Sequence, residues 1–297
     1  MRTASLYWSR VGILALLWGS TFLWIRLALD GLQPAQVTVV RCALGAVVLV
    51  ALCFARGLRL PRSAGTWRHI VVAAFFCNAL PFTLLSLGQQ SVDSGLAGVL
   101  SATTPLWSLL IGLAVGTERP GPFRLGGLLL GFGGTLLIFA PWQHGRALGW
   151  GALAVLGASL SYAIAFGYMR RHLVGRGTPT LSLSAAQLIA ATGLTALALP
   201  AGGSPPAHPG ATPLIAAAVL GVFATGVTFH LTYRIIASEG ATDAATVGYL
   251  LPVVSILLGA LVLGEPVGPR TLAGMAVVLA GVALTRLRKA PAPAGAR

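Results

Sequence analysis

The stretch at residues 104–134 reads TPLWSLLIGLAVGTERPGPFRLGGLLLGFGG, and the stretch at 251–281 reads LPVVSILLGALVLGEPVGPRTLAGMAVVLAG. Aligned without a gap, at an offset of 147 residues, 11 of the 31 positions are identical. The identities include Pro105 with Pro252 and Glu118 with Glu265. Shared apolar composition explains Leu-on-Leu matches, but it does not explain a proline and a carboxylate at a fixed spacing. Self-similarity of this kind indicates a duplicated unit, so the chain is predicted to contain two related halves.

The composition indicates a membrane protein. Of the 297 residues, 56% are hydrophobic and 9% are charged, whereas a soluble domain has about 25% charged residues. The net charge of +14 would suggest a nucleic-acid partner in a soluble protein. Here the basic residues are assigned to the flanks of membrane spans, and no nucleic-acid partner is expected. The three cysteines have no metal-binding or redox spacing, and we expect neither a metal nor any other cofactor.

Ten apolar stretches approach the length of about 20 residues that crosses a bilayer. We therefore predict an all-α integral membrane protein with ten transmembrane helices, spans 1 to 10, near residues 11–29, 35–55, 69–88, 94–116, 124–140, 149–169, 180–199, 213–236, 242–263 and 270–286. The first run is too long for the apolar core of a signal peptide and is interpreted as an uncleaved span. The predicted repeats occupy residues 1–141 (spans 1–5) and 149–286 (spans 6–10), followed by a cytoplasmic tail at 287–297.

Basic residues in short loops set the orientation of a membrane protein. With the N-terminus in the cytoplasm, sixteen of the 20 Lys and Arg residues fall on the cytoplasmic side, and four lie on or toward the other side: Arg26, Arg41, Arg146 and Arg270. Both termini are thus predicted to be cytoplasmic. Because each half has five spans, the second half should be inverted relative to the first, with Glu118 and Glu265 at opposite surfaces. Inverted repeats are typical of secondary transporters.

The chain resembles the drug/metabolite transporter superfamily, specifically proteins with two EamA domains. The resemblance is carried by the Pro-to-Glu stretches already quoted, by LLWGSTFLWIR at 16–26 and VVRCALGA at 39–46, and by SLSYAIAFGYMRR at 159–171. It implies a bacterial inner-membrane carrier that moves a small organic solute (a metabolite, an amino acid or a drug-like compound), often outward. It also implies a central cavity formed mainly by spans 1, 3, 4, 6, 8 and 9.

Other functions are weighed against export. Uptake by the same fold is the first alternative, and a receptor or scaffold that transports nothing is the second. An intramembrane enzyme would need a motif such as GxSxG or HExxH, and the sequence contains neither. We therefore expect a transporter and not an enzyme, with a small solute and the lipid bilayer as partners, as a monomer or a homodimer.

Prolines inside the spans point to the cavity. Pro81, Pro105 and Pro252 each remove a backbone hydrogen bond and leave a carbonyl free, and in lipid that carbonyl must face protein or a wet cavity. Hydroxyls near them either line the cavity or bond to their own helix backbone. An amide inside a span is costlier to bury than a hydroxyl. The predicted substrate-binding candidates are Trp18, Thr21, Asn78, Pro81, Thr104, Pro105, Tyr162, Thr225, His230, Tyr249 and Pro252.

Several polar and aromatic side chains inside the spans have alternative roles. Trp18 and Tyr162 are predicted to face each other across the cavity, where they could stack on a ring or a cation; packing or lipid contact is the alternative. For Arg41, inside span 2, there are three alternatives. It snorkels to the outer headgroups, or it pairs with a carboxylate, or it contacts a substrate anion. His230 relays protons or packs.

The sequence leaves the driving force and the helix contacts open. All six Asp and Glu residues fall at the ends of predicted spans and none in a span's interior. Coupling to protons by a central carboxylate is therefore not supported, and facilitated diffusion or exchange is at least as compatible. Glu118 and Glu265 are interpreted as helix caps or ion-pair partners, with a gate as the alternative. Gly127 and Gly131 form a GxxxG pattern, which predicts a close helix contact, either within the chain or between protomers.

Overall fold

The computed structural model describes residues 2–92, 94–116, 121–139, 149–197, 199–202, 210–263 and 267–285. Throughout these ranges the chain forms helices, turns and loops, without a strand. The helices make ten spans in the predicted order. An apolar chain in lipid must satisfy its backbone polar groups internally, and a helix does this within one segment. The fold is therefore an all-helical, multi-pass membrane fold.

The spans of the first half begin with Arg2–Gly19 and Thr21–Leu29 (span 1) and Pro34–Ala55 (span 2). Span 3 comprises Ala64–Ala74, Phe75–Ala79 and Leu80–Gly88; span 4 comprises Ser94–Ser101 and Thr104–Ala114; and span 5 is Pro122–Phe139. In the second half, span 6 is Trp150–His172 and span 7 is Thr180–Ala196, followed by a short 3-10 turn at Leu199–Gly202. Span 8 comprises Ala211–Gly221, Val222–Val227 and Thr228–Ser238; span 9 comprises Ala241–Thr246, Val247–Tyr249 and Leu250–Leu263; and span 10 is Pro269–Thr285.

Six of the ten spans are long and apolar enough to cross a membrane alone: spans 1, 2, 3, 6, 8 and 9. The other four are apolar but shorter. Spans 5, 7 and 10 have 17 or 18 residues, which is about 26 Å at 1.5 Å per residue. That is slightly below the ~30 Å of a bilayer's apolar core, a mismatch that local thinning accommodates. Span 4 is divided by its own break.

Spans 5 and 10 pack against each other through glycines and run in opposite directions. A Cβ added to Gly127 would lie 2.7 Å from the carbonyl oxygen of Gly281, and one added to Gly134 would lie 2.9 Å from that of Gly274. Residue numbers rise along one helix as they fall along the other, so the pair is antiparallel. The close contact predicted by the GxxxG pattern is therefore made within the chain.

Spans 2 and 7 show the same relation. Cys42 lies beside Thr195, and Cys53, three turns further along span 2, lies beside Ser182. The order again runs in opposite directions on the two helices. Spans 2 and 5 belong to one half, and spans 7 and 10 are their counterparts, so the two halves are inverted with respect to each other.

Within the described ranges, five spans depart from α-helical geometry in their middle, and span 1 does so by a single turn residue, Ser20. Span 3 contains a π-helix at Phe75–Ala79, and span 8 contains one at Val222–Val227, which begins 147 residues later. Span 4 breaks between Ser101 and Thr104, and span 9 passes through a 3-10 turn at Val247–Tyr249. Such irregular turns are frequent at functional sites. The residues around them meet at the interface of the two halves.

Candidate functional site

A cavity of about 60 Å³ lies at the interface of the two halves. Its walls come from spans 1, 3, 4, 6, 8 and 9, the six that the family resemblance implies, and from one residue of span 2. The lining consists of Trp18, Thr21, Phe22, Arg41, Phe82, Leu85, Ser101, Thr104, Tyr162, Phe166, Phe229, Ala245, Gly248 and Leu251. The cavity has room for a few water molecules. A larger solute requires its walls to separate.

Aromatic rings form a continuous part of the wall. Trp18 stacks on Phe166 with ring centroids 6.2 Å apart and planes 3° from parallel. Phe166 in turn contacts Tyr162 at 6.1 Å, and Phe82 meets Tyr162 edge-on at 6.5 Å. The structure thus places both Trp18 and Tyr162 on the cavity wall, joined through Phe166. This arrangement offers broad apolar faces to a ring or an alkyl chain.

Among the residues that the structure describes, Arg41 is the one charged side chain in the lining. It is 2% exposed, so it does not reach the headgroups, and the snorkelling alternative is wrong. Its Nε donates to Thr225 Oγ1 at 3.0 Å, and its guanidinium carbon lies 3.6 Å from the centroid of the Phe82 ring. Within the described part of the chain, Nη1 has no hydrogen-bond partner.

Thr225 supports Arg41 from the π-helix of span 8. Its hydroxyl accepts from Arg41 and donates to the carbonyl oxygen of Leu220 at 2.9 Å. That carbonyl is five residues earlier, the spacing of a π-turn. Thr225 therefore contacts the cavity through Arg41 and is not itself part of the lining.

One serine hydroxyl and one threonine hydroxyl donate hydrogen bonds to carbonyl oxygens that lose their backbone partner at a proline. In the π-turn of span 3, a backbone N–H at position 81 would donate to the carbonyl oxygen of Phe76, five residues earlier. Proline has no backbone N–H, so Pro81 leaves this oxygen without that partner. Ser161 of span 6 donates to that Phe76 oxygen at 2.6 Å. In span 4, Pro105 frees the carbonyl of Ser101, and Thr104 donates to it at 2.7 Å. Thr104 thus both bonds to its own helix and lines the cavity.

The prolines themselves lie behind the lining. Pro81, Pro105 and Pro252 are buried, and none of them is among the residues that line the cavity. Thr21, which also bonds to its own helix at the carbonyl of Leu17, is on the wall. The structure thus brings together Trp18, Thr21, Thr104 and Tyr162 from the predicted set.

Asn78 belongs to a buried network beside the cavity. Gln187 of span 7 donates to Asn78 Oδ1 at 2.7 Å, and the Tyr233 hydroxyl of span 8 donates to Gln187 Oε1 at 2.5 Å. All three residues are fully buried. In hydrocarbon such polar side chains hold helices together, so the network links spans 3, 7 and 8. Asn78 Nδ2 has no partner among the described residues.

Tyr249 and His230 lie outside the cavity. The Tyr249 ring packs on Gly131, and its hydroxyl donates to the carbonyl oxygen of Leu128 at 2.9 Å; it therefore fastens span 9 to span 5. His230 is half-buried on span 8, near the positive charges of Arg10 and Arg234.

A wider cleft of about 610 Å³ adjoins the cavity. It is formed by the C-terminal ends of spans 4 and 6 and the start of span 9, with Arg171 and His172 on its wall. Ser108 and Thr242, also on that wall, are hydrogen-bonded at 3.2 Å. Ser108 lies one helical turn from the cavity residue Thr104. The contact thus lies one helical turn from the cavity, on the wall of the cleft.

Charged residues near the cleft are only partly described. Nη2 of Arg124, at the start of span 5, lies 3.8 Å from Oδ2 of Asp243, at the start of span 9. The interpretation of Glu118 and Glu265 as caps or ion-pair partners concerns residues outside the described ranges.

The residues that sequence reasoning missed are mainly aromatic. Phe82, Phe166 and Phe229 line the cavity, but phenylalanine is common in any span, and nothing in the sequence singled them out. Arg41 carried a signal, a charge inside a span. Only the structure shows that it is held by residues of spans 3 and 8.

Comparison with known proteins agrees with this architecture. The model of the "EamA-like transporter family" matches the chain twice, at residues 11–140 and 149–287. A protein from Pseudomonas aeruginosa is 31% identical over 254 residues, 85% of this chain and 84% of its own length. "Uncharacterized inner membrane transporter YedA" of Escherichia coli K12 is 27% identical over 95% of this chain and 90% of its own. A "Probable terminal-alkyne amino-acid exporter" of Streptantibioticus cattleyicolor is 27% identical over 97% and 95%.

A solved crystal structure shares the fold. It superposes with a TM-score of 0.79 and covers 95% of this chain and 97% of its own, at 21% sequence identity. With a family model that spans most of both halves, the chain belongs to the EamA-like transporter family. It is a membrane transporter and not an enzyme.

Proposed function

We propose that this protein exports a small organic solute across the bacterial inner membrane by alternating access. The observation that carries the proposal is the cavity between two inverted halves, lined by spans of both. In transporters with inverted repeats, substrate sites lie at the repeat interface near the midplane, where helices are discontinuous. Every described span with an irregular middle contributes to the cavity wall.

The path to the cytoplasm runs through the cleft. The proposed orientation, with both termini cytoplasmic, places the ends of spans 4 and 6 and the start of span 9 on the cytoplasmic side. Sixteen of 20 basic residues on that side support this orientation. Opening the contact between Ser108 and Thr242 would join the cavity to the cleft. The halves proposed to move are residues 1–141 and 149–286.

The opposite end of the cavity is closed by backbone packing. A Cβ on Gly88 at the end of span 3 would lie 2.9 Å from the carbonyl oxygen of Gly151 in span 6. Gln89, 1% exposed, donates from Nε2 to the carbonyl oxygen of Phe22 at 3.5 Å. In the proposed orientation this is the outer end of the cavity, and export requires this contact to open.

Outward transport is favoured over uptake by one relative. The Streptantibioticus cattleyicolor protein, which aligns over 97% of this chain, is named as an exporter. Export also fits a wide cleft on the proposed cytoplasmic side, because that is where an outgoing solute enters.

Replacement of the cavity ring at position 162 should strongly reduce export. Tyr162→Ala removes the ring that contacts both Phe166 and Phe82, and we expect export to fall at least about tenfold, the loss of one buried aromatic contact. The measurement compares metabolites in the medium of cells that overproduce the wild type, the variant or no protein. Trp150→Ala is the matched control, because Trp150 is 72% exposed. Wild-type export by a folded Tyr162→Ala variant would contradict the assignment of the cavity.

A further inference from the structure

We infer that Arg41 is the binding group for the carboxylate of the transported solute, and that the solute is an organic monocarboxylate with an aromatic or branched aliphatic body and no cationic group. This inference rests on the proposed function, because it assigns the substrate class of the same cavity.

First, Arg41 has a donor atom, Nη1, that bonds to none of the described residues. A guanidinium has five N–H donors in a planar fork, and here Nε is used by Thr225. Nη1 has no partner, although the residue is 2% exposed. Among the described residues, no carboxylate lies within 4 Å of it. A buried charge without a counter-charge is strongly unfavourable, so an anion that binds here gains an interaction that the empty cavity lacks.

The second step concerns the orientation of the guanidinium. Thr225 fixes one edge by a hydrogen bond, and the Phe82 ring, 3.6 Å from the guanidinium carbon, covers one face. The group is therefore held in place before a ligand arrives. Arg41 belongs to the cavity lining, and its unpartnered Nη1 is buried in this conformation, so a ligand reaches that edge once the walls of the cavity separate. A carboxylate matches the planar fork of a guanidinium and accepts two parallel hydrogen bonds from it.

The third step concerns the rest of the lining. Trp18, Tyr162 and Phe166 supply apolar faces, and the Thr104 hydroxyl is committed to the carbonyl of Ser101. No Asp or Glu lines the cavity among the described residues. The ammonium group of an amine or a zwitterion would thus find no counter-charge, and at this low dielectric it would be repelled by Arg41. These features select for a carboxylate that carries no ammonium group.

The inference is tested on purified wild-type protein with four probes of the same body. These are 3-phenylpropanoate, the neutral 3-phenylpropanamide, zwitterionic phenylalanine and 2-phenylethylamine, each titrated calorimetrically at matched ionic strength. We expect 3-phenylpropanoate to bind at least about tenfold more tightly than the other three, the range of a charge-assisted hydrogen bond. Equal binding of the amide, or tighter binding of the amine, would overturn the inference. The inference would also be overturned if chloride competed for the site as strongly as 3-phenylpropanoate binds it, because the site would then hold only an inorganic counter-ion.

Variants of Arg41 give a second readout. Arg41→Gln should remove the preference for the carboxylate over the amide. Arg41→Lys should keep a weaker preference, since an ammonium cannot form the paired hydrogen bonds. Arg26→Gln is the control, because Arg26 is a basic residue of span 1 that is not part of the lining. If Arg41→Gln fails to fold, Arg41→Lys and the probe series on the wild type decide the question. Full carboxylate preference in a folded Arg41→Gln variant would overturn the inference.

Export measurements separate this inference from the function on which it rests. If overproducing cells export carboxylates, both stand. If the exported solutes are neutral or cationic, the protein is still an exporter and the assignment of Arg41 fails. If overproduction changes no solute in the medium, the proposed function fails.

Discussion

Gly281→Ala should destabilise the protein by about 3 kcal/mol, at the upper end of the usual cost of overpacking. The added methyl group would meet the backbone nitrogen of Gly131 and would lie 2.8 Å from the carbonyl oxygen of Gly127. Both neighbours are backbone atoms, which cannot turn aside as a side chain can. Spans 5 and 10 would have to separate along the contact that joins the two halves.

The matched control is Gly133→Ala on span 5, where an added Cβ has no neighbour within 4 Å. Alanine favours a helix over glycine by up to about 1 kcal/mol, so this control should be neutral or slightly stabilising. The two variants thus make the same chemical change with opposite expected signs. The measurement is the melting temperature of the detergent-purified protein, with the folded fraction after heating monitored by size-exclusion chromatography. Equal melting temperatures for both variants would contradict the packing of spans 5 and 10.

Gly88→Val should abolish export while leaving the protein folded. Its branched side chain would collide with Gly151 and with Val155, whose Cγ2 lies 2.9 Å from the position of an added Cβ. The closed end that is proposed to face outward would become strained, and a two-state equilibrium shifts away from the state that is destabilised. We expect export to fall by more than about tenfold, since a 1.4 kcal/mol bias already changes a population ratio tenfold.

The conformational shift can be measured directly. Thr104→Cys places a thiol on the cavity wall, and Gly88→Val should increase its reaction with an impermeant reagent added outside the cell. Gly157→Ala, also at the interface of spans 3 and 6, is the control, because its Cβ would make an ordinary 3.4 Å contact with Leu84. Unchanged labelling and normal export in Gly88→Val would refute the role of this contact as an outer gate.

The sequence predicted the spans and their breaks because the signals are local. Twenty apolar residues indicate a span wherever they occur, and Pro81 and Pro105 mark the points where a backbone hydrogen bond is lost. The hydroxyl of Thr104, next to its proline, could be placed for the same reason. The π-helix of span 8 had no such mark, since Val222–Val227 contains no proline, and only its position in the repeat pointed to it.

The composition of the site depends on contacts between distant residues, which one sequence does not reveal. Arg41 meets Thr225, 184 residues away, and nothing near Arg41 in the chain distinguishes a cavity charge from a snorkelling one. Tyr249 stands three residues before Pro252, yet its ring faces span 5 because the small Gly131 leaves room there. The amide of Asn78 predicts a place in the cavity, but Gln187 donates a hydrogen bond to it in a network beside the cavity.

In an inverted arrangement, equivalent positions of the two halves lie on opposite sides of the membrane. Ser63 immediately precedes the first helix of span 3, and Gly210, 147 residues later, immediately precedes that of span 8; both are exposed. The native Cys42, Cys53 and Cys77 are buried, so single Ser63→Cys and Gly210→Cys variants can be labelled in intact cells with an impermeant thiol reagent. We expect the cysteine at 210 to react from outside and the cysteine at 63 to react only after the membrane is permeabilised. Reaction of both from the same side would contradict the inverted arrangement.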